Sequence, residues 1–164
     1  MSGPSPVNVR PAAMADARDI HALRVMTGVF ENILSLQSER LEDVEGFLRG
    51  MRDPLPAEVD GHVVGLAGLE VSKPARQRHV GTLGIMVHRE YQGRGIGRSL
   101  LSALLDIADR WLMLKRVQLT VFTDNQRAIG LYRSLGFVVE GTERFAAIRD
   151  GRYADEYLMA RYRE

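Results

Sequence analysis

The sequence predicts an α+β fold built on a mixed, mostly antiparallel sheet, and three observations carry that expectation. Apolar runs with strand character alternate with segments of helical periodicity along the chain. The dipeptides Asp60-Gly61 and Asp150-Gly151 each stand between strand-like runs and signal antiparallel hairpins. The segment from Val80 to Val121 reads as strand, helix, strand, which calls for one parallel pair of neighbouring strands.

Taken in order, residues 1–6 read as a frayed tail rich in proline and serine. Residues 7–10 form a short strand closed by Pro11. Asp16 caps a helix running to about Phe30, with Ile20, Leu23 and Met26 on its buried side. Residues 31–37 break that pattern. A second helix, capped by Ser38, sets Leu41, Val44, Phe47, Leu48 and Met51 at helical spacing and ends at Arg52-Asp53-Pro54. Strands at 57–59 and 62–71 flank Asp60-Gly61, and residues 72–78 form a basic loop. Residues 80–87 are the central strand, in which Gly84 marks a bulge or the close approach of a ligand. A glycine-rich turn follows, then a helix carrying Leu100, Leu101, Leu104, Ala108 and Trp111 on its apolar side. Residues 117–123 alternate as a strand. Asp124-Asn125 opens another helix, which Gly136 stops. Residues 137–140 form a strand, and 144–148 and 153–160 form the last hairpin.

At 164 residues, one domain with a real core is expected. A net charge of +1 gives no broad surface for polyanions, so nucleic acid is not expected as a partner. The absence of cysteine excludes disulfides, thiolate metal sites and a cysteine nucleophile, and fits a reducing cytoplasm. No apolar run approaches the ~20 residues of a membrane span and no signal-peptide core is seen, so a cytoplasmic protein without a membrane partner is expected. His21, His62 and His88 show no metal-ligand spacing, and no metal is expected.

The chemistry concentrates in Gln92-Gly93-Arg94-Gly95-Ile96-Gly97-Arg98-Ser99. Glycines at every second position strip side chains from the turn, so backbone N–H groups can approach a ligand. A helix N-terminus adds unpaired, partly positive N–H groups, and Arg94 and Arg98 add charge-assisted donors: a site for phosphate or pyrophosphate. The competing reading is a connection whose arginines are merely solvated. Arg98-Ser99 matches a P-loop imperfectly, and Arg98 occupies the place of the third glycine of a dinucleotide fingerprint, so both of those motifs are set aside.

The chain resembles the GCN5-related N-acetyltransferases. Their pyrophosphate loop, Q/R-x-x-G-x-G/A, is met by Gln92 to Gly97, and a second family segment by Asn125-Gln126-Arg127-Ala128-Ile129-Gly130-Leu131-Tyr132-Arg133-Ser134-Leu135-Gly136-Phe137. The runs 118–125 and 151–161 look most similar to bacterial members that acetylate free amino acids. The resemblance implies a three-layer α/β arrangement in which the parallel central strands splay and helices flank the sheet. It implies acetyl-CoA as acyl donor, direct attack by a primary amine, and a homodimer by family habit. It makes Gly84 to Val87 the thioester platform, with Met86 and Val87 backbone groups as partners. Gln92, Gly93, Arg94, Gly95, Gly97, Arg98 and Ser99 form the pyrophosphate cradle, and Asn125 is a cofactor contact as well as a helix cap.

In this family the position of Tyr132 donates a proton to the departing thiolate; the other reading of Tyr132 is a core tyrosine beside Leu131 and Leu135. An ammonium must lose a proton before it attacks, and N–H groups near Met86 and Val87 can stabilise the oxyanion. Many members carry a Glu where this chain has Thr82. Glu70 and His79 are the substitute bases, acting through water, unless both are simply solvated. The acceptor site falls to Phe30, Asn32 and Gln37 on one side and Tyr153 on the other, with Arg76 or Arg78 available to a carboxylate. Acetylation of a protein N-terminus or a polyamine is the alternative within the class. A non-catalytic CoA-binding sensor is the alternative outside it.

Overall fold

The computed structural model describes residues 3–164; Met1 and Ser2, part of the expected tail, lie outside the described residues. The strands are β1 (Asn8–Val9), β2 (Arg52–Val59), β3 (His62–Val71), β4 (Val80–Val87), β5 (Arg116–Phe122), β6 (Val138–Arg149) and β7 (Arg152–Tyr162). The helices are α1 (Ala17–Arg24), α2 (Leu41–Gly50), α3 (Ile96–Asp106) and α4 (Gln126–Ser134). The seven strands form one sheet in the order β1-β2-β3-β4-β5-β7-β6, antiparallel except for the β4–β5 pair. That is the mixed sheet with one parallel pair expected from the sequence.

The chain forms two compact units, one of residues up to Leu69 together with Gly84–Asp106, the other of Glu70–Leu83 and Ile107–Glu164. In the first unit, Ile20 and Leu23 of α1 and Val44 and Leu48 of α2 are buried in one cluster with Val63, Leu66 and Met86. Burying an aliphatic side chain of this kind contributes ~1.5–3 kcal/mol, so the two amphipathic helices are held by this face rather than by propensity. An Arg10 fork onto Asp16 (2.8 and 2.9 Å), also bonded to Glu58 (2.7 Å), ties β1 to β2 and to the start of α1. In the second unit, Val117, Leu119 and Val121 of β5 and Met159 of β7 are buried, and Arg161 clasps Asp109 at 2.7 and 2.9 Å.

Both Asp-Gly hairpins form as expected. Asp60 and Gly61 have φ of 51° and 80°, and Asp150 and Gly151 have 51° and 72°, the positive values a two-residue turn of this kind requires.

Several boundaries differ from expectation. The first helix ends at Arg24, not near Phe30: the backbone leaves helical geometry at Val25, with φ −103° and ψ 1°, and the chain then turns through Gly28 at φ +90°. Asp16 accepts from Ala13 N and grips Arg10 instead of capping α1. Arg40, not Ser38, precedes α2, its N–H taken by Asp43 at 2.9 Å. β2 begins at Arg52, and the two short strands expected after Gly136 are one strand, β6, with register shifts. Trp111 is 75% exposed. After Asp106 the helix widens to a π turn at Ile107–Trp111, which changes the angular step per residue and swings Trp111 outward.

Candidate active site

The glycine-rich stretch is built entirely within the first unit. β4 ends at Val87, and His88 N donates to Val64 O of β3 at 2.8 Å. A short turn at Arg89–Tyr91 leads to Gln92, whose side-chain amide reaches back to Val87 O at 3.0 Å. Gly93 and Gly95 adopt φ of +76° and +82°, and a Cβ placed on either would meet nothing within 4 Å. The left-handed backbone explains glycine, and the open space above it leaves room for a ligand. α3 then starts at Ile96, which is buried and anchors the helix; no acidic side chain stands in its first turn to offset the positive end. The Arg94 guanidinium lies over the Tyr91 ring, 5.0 Å from its centroid. Ser99 donates through Oγ to Gly95 O at 3.1 Å.

These residues fit a pyrophosphate-bearing ligand: bare backbone, a helix N-terminus and arginine at one turn. Met86 is buried and Val87 half-buried, and a Cβ on Gly65 would lie 3.2 Å from Met86 O, so β3 and β4 lie too close for a side chain there. Gly84 is exposed, with nothing within 4 Å of an added Cβ.

The same unit holds the first proposed acceptor wall. Phe30 to Asn32 form a single turn, Phe30 N bonding Met26 O at 2.9 Å. Phe30 is half-buried, Asn32 and Gln37 exposed.

The second unit holds the remaining expected residues. Asn125 caps α4, its Oδ1 accepting from Ala128 N at 3.3 Å. About two turns later Tyr132 is 5% exposed, with its ring 5.9 Å from that of Phe137. Burial alone pushes the phenol above its ordinary value, so it is protonated throughout the neutral range. Glu70 and His79 are both exposed; the His79 carbonyl accepts from Lys115 N at 2.9 Å. Thr82 accepts from the Gln118 side-chain amide at 3.3 Å, on the short parallel ladder that pairs Val80, Gly81 and Thr82 with Arg116, Val117 and Gln118.

Tyr153, 69% exposed, stacks edge-on with Phe145 at 5.5 Å in the last hairpin. It lines a cavity of 610 Å³ with Thr123, Asp124, Phe145, Arg149, Arg152 and Asp155. This cavity lies at the carboxyl end of β5, the end at which parallel strands present ligand sites. Arg149 is paired with Asp124, lowering the pKa of that carboxyl, and its guanidinium lies 4.7 Å from the Phe122 centroid.

Two features of this unit escape the sequence. The cavity side chains come from three separated segments, and their charges carry no spacing signature. Glu156 sits in β7 as a buried carboxyl, 9% exposed, inside the strand expected at 153–160, where nothing in the sequence singles it out. Among the described residues no group of three or more His, Cys, Asp or Glu is arranged to hold a metal. No described helix is long and apolar enough to cross a membrane.

Comparison with known proteins agrees with this geometry. Residues 24–137 match the Acetyltransferase (GNAT) family. The L-amino acid N-acetyltransferase AaaT of Escherichia coli K12 is 35% identical over 164 residues, covering 96% of this chain and 98% of that protein. The N-alpha-acetyltransferase RimI of Mycobacterium tuberculosis is 43% identical over 107 residues, 64% of this chain and 63% of its own length. The spermidine N(1)-acetyltransferase of E. coli K12 is 28% identical over 159 residues, 93% and 84% respectively. Among solved structures, yncA from Salmonella typhimurium, with its cofactor acetyl-CoA, superposes with a TM-score of 0.83 at 26% identity, covering 96% of this chain and 94% of that one. With its glycine cradle and its order of elements, the chain belongs to the GNAT family and is an acetyl-CoA-dependent N-acetyltransferase.

Proposed function

We propose that the acceptor is a free amino acid, acetylated on its α-amine by direct attack within a ternary complex. The observation that carries this reading is the cavity at the carboxyl end of β5. A zwitterion needs a cation for its carboxylate, an acceptor for its ammonium and an apolar wall for its side chain. Arg152, Asp155 and the Phe145–Tyr153 pair offer those three in one cavity. The full-length similarity to an L-amino acid N-acetyltransferase supports the same class. A polyamine would favour uncompensated acid, whereas here Arg149 engages Asp124 and Arg152 adds a second cation.

Bound acetyl-CoA supplies the acyl thioester. Gly93, Gly95, Gly97 and the first N–H groups of α3, with Gln92, Arg94, Arg98 and Ser99, hold the pyrophosphate. Met86 and Val87 present backbone groups to the acyl arm, Asn125 holds the start of α4, and Tyr132 gives a proton to the leaving sulfur. Burial keeps that phenol protonated through the neutral range, so the proton is present when the sulfur departs. Tyr153 meets the acceptor in that cavity, Phe30, Asn32 and Gln37 keep the acceptor contacts that the family resemblance implies, and Glu70 and His79 relay protons through water at the surface. The chain acts as a single domain in the cytoplasm, as a homodimer, without nucleic-acid or membrane partners. Exposed Val138, Val139, Phe145 and Ile148 on the terminal strand β6 support the dimer.

The test is thiol release from acetyl-CoA across free amino acids, their carboxamides, polyamines and short peptides. Turnover on free amino acids that drops on amidation of the carboxylate is expected. Preference for the carboxamides or polyamines overturns the amino-acid reading. Stabilisation by acetyl-CoA without thiol release on any acceptor indicates a CoA sensor.

A further inference from the structure

Two charged side chains are buried among the described residues, Asp16 and Glu156. Asp16 is held by the Arg10 fork. Glu156 has no such cation. The groups facing it are the Thr120 hydroxyl, which donates to it, the Glu143 carboxyl across the β6–β7 ladder, and the ring of Phe122, its β5 register partner. Arg149 is engaged by Asp124 instead. A buried carboxyl that faces a second carboxyl and lacks a cation costs stability, so a structural role leaves it unexplained.

Its position follows from the strand register. Paired residues project to the same face of a sheet, and alternate residues of one strand share that face. Thr82 pairs with Gln118, Thr120 with Leu158 and Phe122 with Glu156. Thr82, Gln118, Thr120 and Glu156 therefore share one face. Hydrogen bonds link the first two at 3.3 Å and the last two to each other. The Thr82 position, where a central-strand carboxylate is missing, and Glu156 lie on one polar row.

We propose that Glu156 is the base that takes a proton from the acceptor ammonium, supplying from β7 the carboxylate that the central strand lacks at Thr82. This rests on the acetyl-transfer reading. The ammonium loses two protons in all. The first passes to Glu156, directly or through one water, and then to solvent. The freed nitrogen pair forms the bond to the acyl carbon as the carbon–sulfur bond breaks, and the sulfur takes the proton of Tyr132. The second nitrogen proton restores Tyr132. The balance is acetyl-CoA plus ammonium giving N-acetylamine, CoA thiol and one released proton. Burial first, then the Glu143 charge, raise the Glu156 pKa, while the Thr120 hydroxyl holds it down. A carboxylate moved toward neutrality is a better base than one at the surface.

The experiment compares wild type, Glu156→Gln and Thr120→Val by thiol release over pH 5–9, with acetyl-CoA-induced thermal stabilisation on the same samples. Gln preserves the shape and a hydrogen bond to Thr120. We expect Glu156→Gln to lose ~10²–10⁴-fold in kcat and the acidic limb of the profile, with unchanged stabilisation by acetyl-CoA. Thr120→Val removes a donor that favours the carboxylate, so the midpoint of the acidic limb should move to higher pH. A Glu156→Gln enzyme with near wild-type kcat and its acidic limb intact overturns the proposal, as does an unmoved midpoint in Thr120→Val. Absence of thiol release from the wild type on every acceptor overturns the acetyl-transfer reading itself, and this proposal with it.

Discussion

The Gln92 side-chain amide donates to the Val87 carbonyl at 3.0 Å, fastening the first residue of the glycine turn to the last residue of β4. The strand end and the glycine turn, the two parts to which we assign the CoA contacts, are thus held in one geometry. Gln92→Ala removes that tie and should weaken acetyl-CoA binding by about tenfold, the ~1.4 kcal/mol of one such bond. The unfolding temperature without ligand should fall by about 3–6 °C at most. Titration calorimetry with acetyl-CoA checks this, and unchanged affinity shows that the loop holds its shape without Gln92.

Gly95 poses a different question, because its backbone rather than its side chain is at stake. At φ +82° with open space above it, Gly95→Ala meets no neighbour, so the cost is the left-handed strain of ~1–2 kcal/mol. The added methyl would stand over the cradle. We expect that modest loss of stability together with at least tenfold weaker acetyl-CoA binding. Loss of stability with full affinity would place the pyrophosphate elsewhere.

Positions governed by local backbone chemistry were legible in the sequence. Asp60-Gly61, Asp150-Gly151 and the Asn125 cap each satisfy a requirement set within four residues, and the structure has all three. Positions governed by distant partners were not. Residues 25–30 continue an apolar pattern, yet the helix stops, and a Cβ at Gly28 would lie 3.3 Å from Arg89 Cβ, some sixty residues away. Ser38 has the chemistry of a cap, but Arg24 draws in the neighbouring Glu39 at 2.7 and 2.8 Å, and α2 starts later. Glu156 becomes distinctive only when register sets Phe122 on one side and Glu143 on the other.

Tyr132 has a buried ring and an oxygen to which we assign the proton for the leaving sulfur, and the two roles separate on substitution. Tyr132→Phe keeps the packing against Phe137 and removes only the proton donor. We expect ~10²-fold or greater loss of kcat, unchanged acetyl-CoA affinity and a change in stability below ~1 kcal/mol. The wild-type phenol should show no phenolate absorbance through the neutral range, because burial raises its pKa. Unchanged turnover would assign Tyr132 to the core alone.

Asp16 and Glu156 are buried carboxyls shifted in opposite directions, so they should bend the stability–pH curve in opposite senses. The Arg10 hydrogen bonds hold Asp16 below its ordinary value of 3.8, so its contribution is complete above that pH and is lost as pH falls through the lower folded value. Burial holds Glu156 above its ordinary 4.5, so the folded state binds a proton more readily than the unfolded one. Its contribution is fully present below 4.5 and is lost as pH rises through the folded value. Asp16→Asn should therefore destabilise by ~2 kcal/mol at neutral pH and converge on wild type in acid. Glu156→Gln should gain stability relative to wild type as pH rises above 4.5. Urea midpoints from pH 3 to 8 for the three proteins measure both slopes. A Glu156→Gln difference that is flat with pH would mean that the carboxyl is as well solvated in the fold as out of it, and that the β7 site is not the desolvated one that a base on this face requires.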